Sequence, residues 1–135
     1  MPEQGVTVID PQVAQQVKAF AAGRIGMGAV AVVAPKSALK RWLGPDGTRP
    51  DTRLLARMLG ARDVAIGIGT LFAVKHQSPV RGWLEAGALA DAGDLAASVL
   101  GLRGGLPRRP VLGTAGAALA GVAWSRRLVS RLPSS

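Results

Sequence analysis

The stretch LGARDVAIGIGT, Leu59 to Thr70, decides how this chain is read. It sets an arginine and an aspartate, Arg62 and Asp63, at the mouth of an apolar run rich in glycine. The run lacks the period-two alternation of a half-buried strand, so it reads as helix. As helix it belongs to an apolar segment from Leu54 to Val74 and carries two full charges near its middle. Charges in so apolar a setting must find partners, because an isolated buried charge is costly. The rest of the chain has to supply those partners and to say what surrounds the helix.

The 135 residues leave room for one domain, 1–135, and for no second core. Hydrophobic residues make up 48% and charged ones 19%, and the mean hydropathy is +0.25, more apolar than an ordinary soluble domain. Seventeen Lys and Arg against eight Asp and Glu give a net charge of +9, which draws a protein toward phosphates of nucleic acid or of anionic lipid. The absence of cysteine excludes disulfides, thiolate chemistry and cysteine metal sites, and the single His76 weakens a zinc reading. No metal and no cofactor is expected. The start MPEQGVTVIDPQ is polar and mildly acidic, unlike a signal peptide. Abundant Ala, Gly and Arg has the flavour of a GC-rich bacterium, a habit of composition without mechanism.

Punctuation along the chain divides it into four long helices. Asp10-Pro11 is a start signal for a helix over about 11–34, ended before Pro35. Asp51 or Thr52 can cap a second over 52–75. Ser78-Pro79 opens a third over 79–102, and Arg103-Gly104-Gly105 ends it. Pro110 opens a fourth over 110–127, closed by Arg126-Arg127. Between the first two, Ala38, Leu39, Trp42 and Leu43 line one side of a short helix with Lys36, Lys40 and Arg41 around the rest, a pattern suited to an anionic membrane surface. Gly44-Pro45-Asp46-Gly47 then turns the chain. A solvated loop with one anchoring Trp would carry the same residues.

The fold class expected is therefore all-α, a four-helix transmembrane bundle with a short interfacial helix in the first loop. A span needs about 20 largely apolar residues, and these segments meet that only when internal charges or snorkelling flanks are counted. Trp42, Trp83 and Trp124 stand at segment ends, where an indole favours the membrane interface. Gly113, Ala117, Gly121 and Ser125 form a small-residue ladder for close helix packing in lipid. From Val111 to Trp124 the only polar side chain is Thr114, which suits lipid better than a small soluble bundle. Lys36, Lys40, Arg41, Arg49, Arg53, Arg57, Arg103, Arg108 and Arg109 fall on one side, against Lys18, Lys75, Arg81, Arg126, Arg127 and Arg131 on the other. The excess of basic residues faces the cytoplasm, which puts both termini outside a bacterial inner membrane crossed several times.

Five charges remain within the apolar segments: Arg24, Arg62, Asp63, Asp91 and Asp94. Each would cost at least ~2.5 kcal/mol near the bilayer centre, so they should face inward and pair. Asp91 and Asp94 are three apart and share a helix face, continued by Ser98, that can meet Arg62. Asp63 can turn toward Arg24, while Arg62 and Asp63, about 100° apart on their helix, are not expected to pair with each other. Gly67 and Gly69 would let the helices approach. Glu85 can pair with Arg81. Two arginines against three aspartates leave one negative charge over, to be met by a proton, a cation or a cationic ligand. Static pairs that fix helix register are the plainer use of the same residues.

The early G-R-x-G-x-G (Gly23 to Gly28), the L-G-P of the first loop, the R-D pair in GARDVAIG and the D-x-x-D of Asp91 to Asp94 resemble, over roughly residues 15 to 125, small four-span actinobacterial membrane proteins. These are families without an assigned activity, broadly DoxX-like in layout. The resemblance implies four transmembrane helices and supplies no catalytic residues. GRIGMG and IGIG lack the strand context of a phosphate loop, and no serine has a histidine partner in pattern. Scattered basic residues without an aromatic platform argue against nucleic acid. The expected role is an accessory or organising subunit of a membrane assembly, its partners being anionic lipid and a membrane protein or further copies of the chain. The rivals are a membrane carrier or redox-linked enzyme using a buried Asp, and a soluble basic helical binding protein.

Overall fold

The computed structural model describes residues 9–133; residues 1–8, which hold most of the polar start, and 134–135 lie outside the described residues. The described chain forms α1 (Pro11–Val33), α2 (Pro35–Leu43), a 3-10 turn (Gly44–Thr48), α3 (Pro50–Lys75), α4 (Val80–Arg103) and α5 (Arg108–Val129). It is all-α: five helices, with no strand among the described residues.

Every helix starts at a proline. Pro11, Pro35 and Pro50 occupy the first turns of α1, α2 and α3, and Pro79 and Pro107 immediately precede α4 and α5. Proline has its φ fixed near the helical value and lacks an N–H that the first turn could not satisfy anyway. At α1 the Asp10 carboxylate accepts from the Gln12 and Val13 amides at 2.8 and 3.2 Å, as expected. The caps expected elsewhere are different. α3 begins at Pro50, so Asp51 lies inside the first turn and pairs with the exposed Arg49 at 3.1 Å, which holds its carboxyl below the usual range. That contribution is present above the ordinary carboxylate pKa and fades as pH falls through the lowered one. Ser78 caps nothing in α4, and α5 starts two residues before Pro110 because Pro107 already supplies the fixed φ.

The ends of α3 and α4 share one device. Ser78 N–H bonds to the Ala73 carbonyl at 2.9 Å and Gln77 N–H to that of Val74 at 3.5 Å; Leu106 and Gly105 repeat this on Gly101 and Leu102 at 3.0 and 3.2 Å. Both are Schellman motifs, whose C′ residue must be left-handed. Gly105 does this freely at φ 85°, whereas Gln77 is forced to φ 51°.

α1 packs along α3 and α4 along α5, both antiparallel, and the two pairs join through α3 and α4 while α1 and α5 barely meet. The buried stripes repeat at three and four: Val13, Val17, Ala21, Arg24, Gly28 on α1 and Val80, Leu84, Gly87, Asp91, Ser98 on α4. This is the spacing of helices crossing at a shallow angle. Small residues set the approach. A Cβ on Gly28 would stand 2.5 Å from the Gly60 carbonyl and one on Gly60 2.5 Å from that of Gly28, while one on Gly67 would stand 2.8 Å from the Ala21 carbonyl. Gly69 receives the indole of Trp83, so both glycines of IGIG, Ile66 to Gly69, accommodate a neighbour.

The apolar core, Val13, Val17, Ala73, Val80, Leu84 and Leu128, occupies only the end that holds the chain termini. The middle of the bundle is polar, with Arg24, Asp91, Thr70, Ser98 and Ser125 all buried, while Val33, Leu89 and Met27 are 81, 75 and 67% exposed. By length and composition α1 is the one described helix long and apolar enough to cross a membrane.

Two substitutions test these contacts in thermal unfolding. Gly28→Ala should cost ~1–3 kcal/mol by overpacking against backbone that cannot yield, whereas Gly26→Ala, with nothing within 4 Å of its Cβ, should be neutral or stabilising. Gln77→Gly should stabilise by about 0.5–1 kcal/mol, the relief of left-handed strain less the entropy glycine gains in the unfolded chain; a loss of stability would contradict the strain.

Candidate functional site

The five charges come together at mid-height from three helices. α1 contributes Arg24, α3 contributes Arg62 and Asp63, and α4 contributes Asp91 and Asp94. Arg24 donates from Nη1 to Asp63 Oδ1 at 2.8 Å and from Nη2 to Asp91 Oδ2. Arg62 grips Asp94 with both prongs, Nη1 to Oδ1 at 3.0 Å and Nη2 to Oδ2 at 2.8 Å. Its Nη2 also reaches Asp63 Oδ1 at 3.3 Å. The order is therefore Asp91, Arg24, Asp63, Arg62, Asp94, an unbroken chain of alternating sign.

One expectation is corrected. Arg62 and Asp63 do pair, because the 100° between their Cα directions constrains the bases of the side chains and the long guanidinium folds back around the helix. Asp63 is thereby the bridge between two arginines. Its shared oxygen receives a charge-assisted bond from each, the strongest class of protein hydrogen bond. Ser98 lies on the Asp94 face but donates to the Asp94 carbonyl at 2.8 Å, outside the carboxylate chain. The Arg81 to Glu85 pair is loose, at 3.8 Å on the surface.

Two neighbours make the arrangement fit and were not singled out by the sequence. Phe20, one turn before Arg24, places its ring 5.6 Å from the guanidinium carbon. Gly87, one turn before Asp91, leaves room for the Arg24 guanidinium, which would stand 3.5 Å from a Cβ there. Spacing by four from each charge was the available signal.

The ladder on α5 splits by role. Gly121 faces the Asp91 carboxylate, which fills the space a Cβ would need, and Ser125 is fully buried. Gly113 holds the indole of Trp42, so that ring rests on α5 as well as marking the end of α2. Ala117 is exposed, because a spacing of four drifts around a helix of 3.6 residues per turn; the buried positions are Ala118, Ser125 and Leu128. Trp83 and Trp124 lie toward the terminal end of the bundle and Trp42 at the other, all half exposed.

Because α1 and α5 barely touch, a cleft of about 610 Å³ opens between them. Phe20 and Met27 form one wall, Ala117, Ala120 and Trp124 the other, and Arg24, Asp63 and Asp91 lie at its base. Among the described residues no three His, Cys, Asp or Glu side chains gather to hold a metal ion. The three aspartates are instead separated by arginines.

Compared with family models, curated proteins and solved structures, the chain finds no match in any of the three. The geometry alone carries the functional reading.

Breaking the chain at different links should give graded effects. Arg24→Gln strands Asp91 and leaves Asp63 with Arg62 alone, and should cost ~3–5 kcal/mol in unfolding, the range for a buried pair that loses one partner. Asp94→Asn, at the more exposed end, should cost clearly less. Equal losses at the two positions would contradict a chain anchored on Arg24.

Proposed function

We propose that the chain is a four-span membrane protein in which α1, α3, α4 and α5 cross the bilayer and α2 lies along one surface. Its role is that of an accessory or organising subunit in a membrane assembly. The observation that carries the reading is the inverted polarity: Arg24, Asp91, Thr70, Ser98 and Ser125 are inside, and large apolar side chains such as Met27, Val33, Phe72, Leu89, Leu100 and Leu119 are outside. In water this would place an extensive apolar surface against solvent and charges in the interior, the reverse of a soluble bundle. In lipid both features are favourable.

The long helices have 22 to 26 residues, about 33–39 Å at 1.5 Å per residue, enough for a bilayer core of about 30 Å. A hydropathy count penalises α3 and α4 for Arg62, Asp63, Asp91 and Asp94 as though those groups were isolated charges; all four are paired, Asp91 buried and the others partly so. Hydroxyls behave likewise, Thr70 and Thr114 donating to carbonyls one turn back at 2.8 and 3.0 Å. The indoles flank the bundle at both ends as interfacial anchors do. The likeness to small four-span actinobacterial membrane proteins accords with the same layout. The excess of basic residues around α2 makes that end cytoplasmic on this reading, with both termini outside.

An organising role draws on what the surface offers. Gly26 on α1 and Gly116 on α5 have open space where a Cβ would stand, which admits a neighbouring helix at short range. A partner in constant stoichiometry after extraction in mild detergent is the expected result, and a lone monomer would refute the role.

The spans themselves are tested by alkaline carbonate and by labelling of single cysteines in this cysteine-free chain. The protein should stay in the membrane pellet. Cysteines at Ser37 and Leu106 should label from one side and those at Ser78 and Ser135 from the other. Release by carbonate, or labelling of adjacent loops from the same side, would sink the four-span reading.

A further inference from the structure

We infer that the cleft between α1 and α5 binds a lipophilic cation, an apolar molecule carrying one positive charge, with Asp91 as its counter-charge. The inference rests on the membrane reading above. Two arginines and three aspartates make the buried chain one positive charge short. The shortage is not spread evenly. Asp94 receives two hydrogen bonds from Arg62, and Asp63 receives one from each arginine. Asp91 receives one, on Oδ2, and its Oδ1 accepts none from the described residues. The least satisfied carboxylate is also the one that terminates the chain at the cleft.

The cleft then selects the class of ligand. Its volume of about 610 Å³ suits an organic molecule. An anion would meet the surplus negative charge. A small hard cation would find two free carboxylate oxygens, Asp91 Oδ1 and Asp63 Oδ2, where it needs six or more oxygen ligands, and a strongly hydrated polar molecule would lose water to walls that, Gln16 apart, are apolar. A cation whose charge is spread over apolar substituents satisfies both the walls and Asp91. The Trp124 indole on the α5 wall offers it a ring face.

The test is equilibrium dialysis of the full-length protein in a mild non-ionic detergent against tritiated tetraphenylphosphonium. The expected result is saturable binding of one cation per chain, weakened at least tenfold by Asp91→Asn. Gly23 lines the cleft and has nothing within 4 Å of its Cβ, so Gly23→Leu should fill the cleft and weaken binding as much while leaving the charge chain intact. This second variant keeps the test decisive should Asp91→Asn fail to fold. Gly82→Leu, on α4 away from the cleft and with nothing within 4 Å of its Cβ, should bind as the parent does. No saturable binding, binding indifferent to Gly23→Leu, or equally tight binding of neutral triphenylphosphine oxide would overturn the inference. A protein that carbonate releases from membranes, yet binds the cation with these variant effects, would refute the membrane reading and retain the site.

Discussion

The rest of the structure depends on the guanidinium of Arg24 lying between two aspartates from two other helices. It is the one side chain that ties α1 to both α3 and α4 at mid-height. Its burial goes with the steric details around it: glycine at Gly121 to admit the Asp91 carboxylate, and a ring at Phe20 beside the cation. Buried ion pairs are weak contributors to net stability, because desolvation offsets most of the Coulomb gain. What they do here is forbid alternatives. A one-residue slip of any of the three helices would strand a charge in an apolar medium, so the chain of alternating sign specifies register where interchangeable Ala and Gly could not.

That same logic explains where the sequence was legible. Helix ends were, because proline and the Asp10 cap act locally, and so was the meeting of Arg62 with Asp94 and of Arg24 with Asp63, because unpaired charges at matching depth have few other partners. The pairing of Arg62 with Asp63 was hidden by treating side chains as short pegs along their Cα directions. The register of the packing stripes was hidden for a different reason. Periodicity is sought in large apolar residues, but beyond the Val13, Val17, Val80, Leu84 and Leu128 end many of those point outward, and the inward stripe at mid-height is made of Gly, Ala, Ser and charge. The Trp positions at segment ends were plain, whereas the notches at Gly69 and Gly113 that receive Trp83 and Trp42 depend on which helices become neighbours.

The cleft was beyond sequence reasoning because it is a property of closure. In a four-helix arrangement made of two tight antiparallel pairs joined along one seam, the first and last helices are left facing each other without a connecting turn to draw them together. Whether that second seam shuts depends on side-chain volume at its mouth. Gly23, Ala117 and Ala120 are too small to fill it, and Met27 and Trp124 stand at its sides. The apolar plug of Val17, Leu84 and Leu128 closes the bundle only at the terminal end.

These two facts bear on each other. An alternating chain with an odd number of members ends in the same sign twice, and the ends of this one differ in surroundings: Asp94 is gripped by both prongs of Arg62, while Asp91 is held by one bond beside the open seam. A sequence selected only for static register would be better served by an even chain, or by a seam filled with larger residues so that the last carboxylate were sealed away. The structure has neither. Static ion pairs account for four of the five charges; the fifth, Asp91, keeps one carboxylate oxygen without a donor among the described residues beside the open seam.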